Sequence, residues 1–248
     1  MKTPQAPLPP ADPGLSRRQF LRRSSLVAAA GAAAVEFPMV WTAHAAAVDA
    51  IRVGVVGCGG RGTGAVLNVL GAATNVIYPS AGYHTEDVKK GAVVRHKNIE
   101  VVALADVFPD RLQSCREQLR NLAEPMDVPS DHCFTGFDAC AKLVALPEVN
   151  YVILAEPPHF RPDHLLAAVE AGKHVFFEKP AAVDAPGARK VIQAGELARQ
   201  KGLGIAVGTQ RRHQRAYREV VQRLRDGAIG DILEARAYWN GGVIWVID

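Results

Sequence analysis

"IRVGVVGCGGRGTGAVLNVL", Ile51–Leu70, is the stretch whose reading decides the fold. Ile51–Val56 is apolar and β-branched, the composition of a strand buried on both faces. The glycines that follow end it, and "GCGGRGTGAVLNVL" turns into a helix. Gly57, Gly59 and Gly62 form G-x-G-x-x-G between that strand and that helix, with Gly60 and Arg61 inside the same turn. The first glycine permits a tight turn, the second lets backbone approach a pyrophosphate, and the third lets helix and strand pack closely. Free N–H groups at the helix start then face the phosphate charge.

The alternation continues along the chain. Apolar runs at Glu100–Asp106, Val149–Ala155, His174–Phe177 and Leu203–Gly208 read as strands. Helical patterns lie between and after them, at Pro109–Leu122, Arg161–Ala171, Ala185–Gln200 and Gln214–Arg225. Asp184 is the expected N-cap of the third helix, with Val191, Ile192, Gly195 and Ala198 on its inner face. In the fourth, Tyr217, Val220, Val221 and Leu224 are expected to face inward. Strand and helix in strict alternation predict an α/β protein, a Rossmann-type doubly wound parallel sheet. Gly71–Asn98 has no clean period and reads as an insertion running over the surface. "DILEARAYW", Asp231–Trp239, alternates apolar and polar residues like a half-buried strand, which predicts the first strand of a C-terminally truncated α+β open-sheet domain. The expected organisation is a targeting segment over residues 1–45, a dinucleotide-binding domain over 50–180, crossover helices and a strand completing it over 181–230, and the start of a substrate domain over 231–248.

The chain has 248 residues, 48% hydrophobic and 22% charged, a globular composition. Its net charge of +4 is concentrated at the front: residues 1–45 hold Lys2, Arg17, Arg18, Arg22 and Arg23 against Asp12 and Glu36. The remainder is close to neutral and offers no basic excess for nucleic acid. "SRRQFLRR" at Ser16–Arg23, the weakly apolar "SLVAAAGAAAV" and the small residues "AHA" occur in the order of an export signal and resemble a twin-arginine (Tat) signal. The apolar run is too short and alanine-rich for a stable membrane span. Export through the Tat machinery to the periplasm or another extracytoplasmic space is the expectation. Cys58, Cys115, Cys133 and Cys140 form no CxxC pair and read as buried thiols, and no metal site is expected.

Three positions carry candidate chemistry beyond the glycine turn. Asp106 ends the second strand, where a carboxylate accepts hydrogen bonds from the adenosine ribose and repels a 2′-phosphate. NAD is therefore favoured, while Arg61 and Arg111 offset the repulsion enough to leave NADP open. A helix-capping aspartate is the other reading of Asp106. "EKP", Glu178–Pro180, follows the fourth major strand, so Lys179 reaches the carboxyl edge where such sheets bind ligands. Lys179 there holds a substrate hydroxyl or moves its proton, and Glu178 orients Lys179 or a ribose. The other reading is a surface salt bridge between neighbours.

The combination "VGVVGCGGRG", "ADVFPDR", "PPHFRPDH", "AGKHVFFEKP" and "VGTQRRH", in this order, resembles the Gfo/Idh/MocA family of oxidoreductases. The resemblance covers about residues 50–240. It implies that Lys179 is the lysine near nicotinamide and substrate, that a cis peptide precedes Pro180, and that Pro157, Pro158 and His159 form a cofactor-lining turn. Glu156 departs from the small or hydroxyl residue common there. Gln210, Arg211 and Arg212 match the segment leading into the substrate domain and are substrate-site candidates, with solvated helix-start charges as the alternative. The family's catalytic aspartate and histidine would fall beyond Asp248. The implied activity is an NAD(P)-dependent oxidoreductase acting on a sugar, cyclitol or related polyol, a homo-oligomer when full length. Two alternatives stay open: a glycoside hydrolase using NAD transiently, and a catalytically inactive nucleotide-binding fragment.

Overall fold

The computed structural model describes residues 50–76 and 86–238. The expectations for the targeting segment, for residues 77–85 of the insertion and for residues 239–248 lie outside the described residues.

Six parallel strands form the main sheet. They are β1 (Ile51–Val56), β4 (Ile99–Asp106), β5 (Cys133–Thr135), β6 (Tyr151–Leu154), β7 (His174–Phe177) and β8 (Ile205–Val207). Their order is β5-β4-β1-β6-β7-β8. β1 lies in the middle, with Val55 level with Leu104 of β4 on one side and Ile153 of β6 on the other. The chain winds outward from β1 in one direction and then in the other, so a crevice opens at its carboxyl end.

Both faces of the sheet are covered, which explains why its strands read as continuous apolar runs. Val53 and Val55 of β1 pack with Leu67 and Leu70 of helix α1 (Gly60–Leu70) and with Leu112 and Leu119 of α2 (Pro109–Arg120). On the opposite face Val56, Val152, Leu154 and Phe177 pack with Leu143 of α3 (Ala139–Ala145), Leu165 and Val169 of α4 (Arg161–Glu170), and Ala194 and Ala198 of α5 (Ala185–Lys201). Each such fully buried aliphatic side chain contributes about 1.5–3 kcal/mol from its removal from water. Asp184 caps α5 as expected: its Oδ1 accepts the Gly187 N–H at 2.7 Å.

Four expectations are corrected. The insertion is more than a surface loop: β2 (Thr74–Val76) and β3 (Glu86–Val88) pair antiparallel, and Val88, Ala92 and Val94 enter the core. Strands of three residues are too short to show a period. Ile192 of α5 is 62% exposed, because the helix sits on its small residues Ala194 and Ala198 instead. The helix expected at Gln214–Arg225 is present as α7 (Arg215–Arg225), preceded by a short α6 (Gln210–His213), but its expected inner face is not buried. Its apolar stripe is at helical spacing, yet Tyr217, Val220 and Val221 are exposed, since no described element covers them. Finally, residues 231–238 form no strand, and Leu233 is 94% exposed. An alternating segment becomes a strand only when a neighbour takes its backbone hydrogen bonds, and no described strand lies beside it. No described helix is long and apolar enough to cross a membrane.

Candidate functional site

The carboxyl ends of β1, β4, β6 and β7 open into one cleft of about 960 Å³. Its lining includes Gly57, Gly59, Gly60, Arg61, Asp106, Arg111, Pro157, Glu178 and Lys179. Neighbouring strands lie roughly 4.8 Å apart, so from β4 to β7 the groups are spread over about 14 Å, a row suited to an extended ligand.

Gly57 has φ +87°, a left-handed conformation, and a Cβ there would lie 2.5 Å from the Glu156 N. Only glycine makes this turn. A Cβ on Gly62 would stand 1.8 Å from the Gly57 carbonyl oxygen, so the start of α1 rests directly on the turn. Gly59 is different: nothing comes nearer to a Cβ there than Arg111 Nη1 at 3.9 Å, and the residue faces open cleft. No side chain caps α1. Its first N–H groups have no intrahelical acceptor, and Gly60 and Arg61, which carry two of them, line the cleft.

Asp106 is 8% exposed and ties the turn to the end of β4. Its Oδ2 accepts the Cys58 N–H at 2.6 Å and its Oδ1 the Phe108 N–H at 2.9 Å. It thus acts as a local backbone cap while lining the cleft, and a carboxylate retains acceptor sites beyond those two. Beneath the turn Cys58 and Cys115 are buried. The Cys115 thiol, then burial, push the Cys58 thiol well above its ordinary range.

At the other end, the Lys179–Pro180 peptide bond is cis. Lys179 is exposed on the cleft wall, and its ammonium enters no hydrogen bond or ion pair among the described residues. Glu178 is buried behind it. Its Oε2 accepts the Lys179 N–H at 3.2 Å, and its Oε1 lies 3.4 Å from Arg61 Nε. The carboxylate seats against Gly208, where a Cβ would be 2.7 Å from Oε2. Gly208→Ala is therefore expected to displace Glu178 and cost about 1–3 kcal/mol, read as a fall in Tm. An unchanged Tm would show that the carboxylate has room to move.

Sequence reading missed Arg161 and Gly208. Arg161, 2% exposed at the start of α4, donates from Nη1 to the Pro180 carbonyl and from Nη2 to the Glu156 carbonyl. It clasps the exits of β6 and β7, and burial pulls its guanidinium below its ordinary range. Nothing local marks an arginine at a helix start as buried. The only signal for Gly208 is its place at the end of the strand beside "EKP". Next to Arg161, both Glu156 carboxylate oxygens are buried without a hydrogen-bond partner, with His164 Nδ1 3.4 Å from Oε1. Cys140 nearby is pushed up to about 12, by burial first and the Glu156 charge second.

The structure thus brings the glycine turn, Asp106, Pro157, Glu178 and Lys179 to one place. It leaves His159 exposed outside the lining, edge-on to Phe160. Gln210, Arg211 and Arg212 are exposed on α6, also outside the lining, with Arg211 over the Tyr217 ring. No group of three or more His, Cys, Asp or Glu side chains among the described residues is arranged to hold a metal ion.

Residues 51–209 match the oxidoreductase family with an NAD-binding Rossmann fold, Gfo/Idh/MocA. The chain belongs to the Gfo/Idh/MocA family. Among its curated relatives, an inositol 2-dehydrogenase of Gluconacetobacter diazotrophicus is 36% identical over 137 residues, covering 55% of this chain and 37% of the relative. An inositol 2-dehydrogenase of Acidothermus cellulolyticus is 32% identical over 155 residues, covering 62% and 41%. The chain thus matches well under half the length of these relatives. Among solved structures, scyllo-inositol dehydrogenase from Lactobacillus casei, with bound NAD(H) and scyllo-inositol, shares the fold. It has a TM-score of 0.52 at 23% identity, over 73% of this chain and 42% of that one. The family has an NAD-binding Rossmann fold, and the open Gly59 edge, the uncapped α1 and Asp106 fit a dinucleotide in this cleft.

Proposed function

We propose that the chain is the cofactor-binding part of an NAD(P)-dependent oxidoreductase acting on a cyclitol or related polyol. The observation that carries this reading is that Asp106 after β4, the glycine turn after β1 and Lys179 after β7 line one cleft along a row of strand tips. Gly59, Gly60 and Arg61 would hold the pyrophosphate through backbone N–H groups, and Asp106 would accept from the adenosine ribose. Bound nicotinamide supplies the hydride donor or acceptor. Lys179 orients the substrate hydroxyl and moves its proton. Glu178, held by Arg61 and seated against Gly208, keeps the loop that carries Lys179 in place.

The substrate class rests on the relatives, which are inositol dehydrogenases. Export by the twin-arginine route is proposed from "SRRQFLRR". An exported enzyme would carry its cofactor folded in.

The test is saturable binding of NADH to the purified chain, and cyclitol-dependent reduction of NAD⁺ in the complete protein. Absence of NADH binding overturns the reading. Glycosidic cleavage without net NADH would replace it with the hydrolase alternative.

A further inference from the structure

Lys179 is placed in the cleft by its backbone. Its ammonium enters no hydrogen bond or ion pair among the described residues, so no side-chain contact fixes where it reaches. The main chain that carries it is pinned on both sides. On the β7 side the Glu178 N–H donates to the Leu154 carbonyl at 2.9 Å, and the Glu178 carboxylate accepts the Lys179 N–H at 3.2 Å. On the other side the hold comes from Arg161, whose Nη1 donates to the carbonyl of Pro180, the residue after Lys179.

The donors of Arg161 serve the backbone and not a charge pair. The residue opens α4, and Leu165 and Val169 of that helix are fully buried, so its own main chain stands on a fixed element. A guanidinium beside carboxylates commonly takes them in bidentate contact. Glu156 and Glu178 are both buried and both act on the Arg161 charge, yet neither forms an ion pair with it: Glu178 meets Arg61, and Glu156 meets His164. The two terminal nitrogens of Arg161 go instead to two main-chain carbonyls, Pro180 after β7 and Glu156 after β6. The nearby acids offset the cost of burying a cation, and the rigid fork of the guanidinium is left to join two strand exits. Those exits are neighbours, with Leu154 of β6 level with Phe177 of β7.

On the reading of Lys179 as the proton-transfer group, we infer that Arg161 is its positioning residue: by holding the Pro180 carbonyl to the β6 exit, Arg161 fixes where the lysine stands in the cleft. Arg161 acts through Lys179 and takes no part in the chemistry itself. A proton-transfer group displaced by about 1 Å loses on the order of 100-fold in rate, so a backbone pin one residue away has a large effect.

A double-mutant cycle in the complete protein tests this, with kcat for cyclitol oxidation and Tm measured for each variant. Arg161→Gln loses the fork and is expected to lower kcat about 10- to 100-fold. In the Lys179→Ala background the same substitution is expected to change kcat by less than about threefold, because the group it positions is gone. Tm is expected to fall by the same amount in both backgrounds. Arg161→Lys keeps the charge but not the fork, so it is expected to recover part of kcat; it also serves as the variant for the cycle should Arg161→Gln fail to fold. Equal slowing in the two backgrounds would show a role in stability alone and overturn the inference, as would wild-type kcat in the Arg161 variants. Either result would leave the reading of Lys179 intact. Unchanged turnover in Lys179→Ala overturns both.

Discussion

Lys179→Ala is expected to slow polyol oxidation in the complete protein by about 10²- to 10⁴-fold, the range for loss of a positioned proton-transfer group. NADH binding to the variant is expected to stay within about threefold of wild type, because on the proposed reading the pyrophosphate and adenosine ribose are held at the tips of β1 and β4 and not at the tip of β7 that carries Lys179. Exposure of Lys179 on the cleft wall makes misfolding a poor explanation for such a loss. Lys179→Arg keeps the charge without a readily lost proton, so a variant as slow as alanine assigns proton transfer and a restored rate assigns charge alone. Unchanged turnover in Lys179→Ala would remove the lysine from the chemistry. It would also return "EKP" to the reading of a neighbouring surface pair.

Gly62→Ala is the second large effect. Its Cβ would stand 1.8 Å from the Gly57 carbonyl oxygen, and backbone cannot rotate out of the way as a side chain can. Helix α1 must lift from the turn. A loss of about 3 kcal/mol or more is expected, read as a lower Tm, together with loss of NADH binding. Gly59→Ala is the contrasting variant. Its Cβ meets nothing closer than 3.9 Å, so stability is expected to hold while the methyl group occupies the pyrophosphate's approach and NADH binding weakens. Two alanines three positions apart would thus separate the glycine that packs from the glycine that makes room. Equal Tm values for both variants and the wild type would contradict this division.

Much of this was legible in the sequence, for physical reasons. β1, β4, β6 and β7 are buried on both faces, which leaves continuous apolar runs that no exposed segment imitates. The glycine turn has few alternatives once a strand precedes it and a helix follows. Lys179 was reachable because a strand ending in Phe177 places the next residues at the sheet edge. Three features were hidden because they depend on partners far away in the chain. The hydrogen bonds of Arg161 run to the exits of two different strands. Gly208 matters only because Glu178 packs on it. Asp106 looked like a group aimed at a ribose, and the sequence gives no sign that Cys58, 48 positions earlier, donates to it. The stripe Tyr217, Val220, Val221 shows the limit of periodicity: spacing identifies the face of a helix, but not whether anything covers it.

The most direct test of the account is a crystal or cryo-EM map of the protein with NAD(H) bound. The account predicts the pyrophosphate against the backbone of Gly59–Arg61, the adenosine ribose beside Asp106, and the nicotinamide ring within reach of the Lys179 ammonium. A nucleotide bound elsewhere, with Lys179 directed into bulk water, would contradict it.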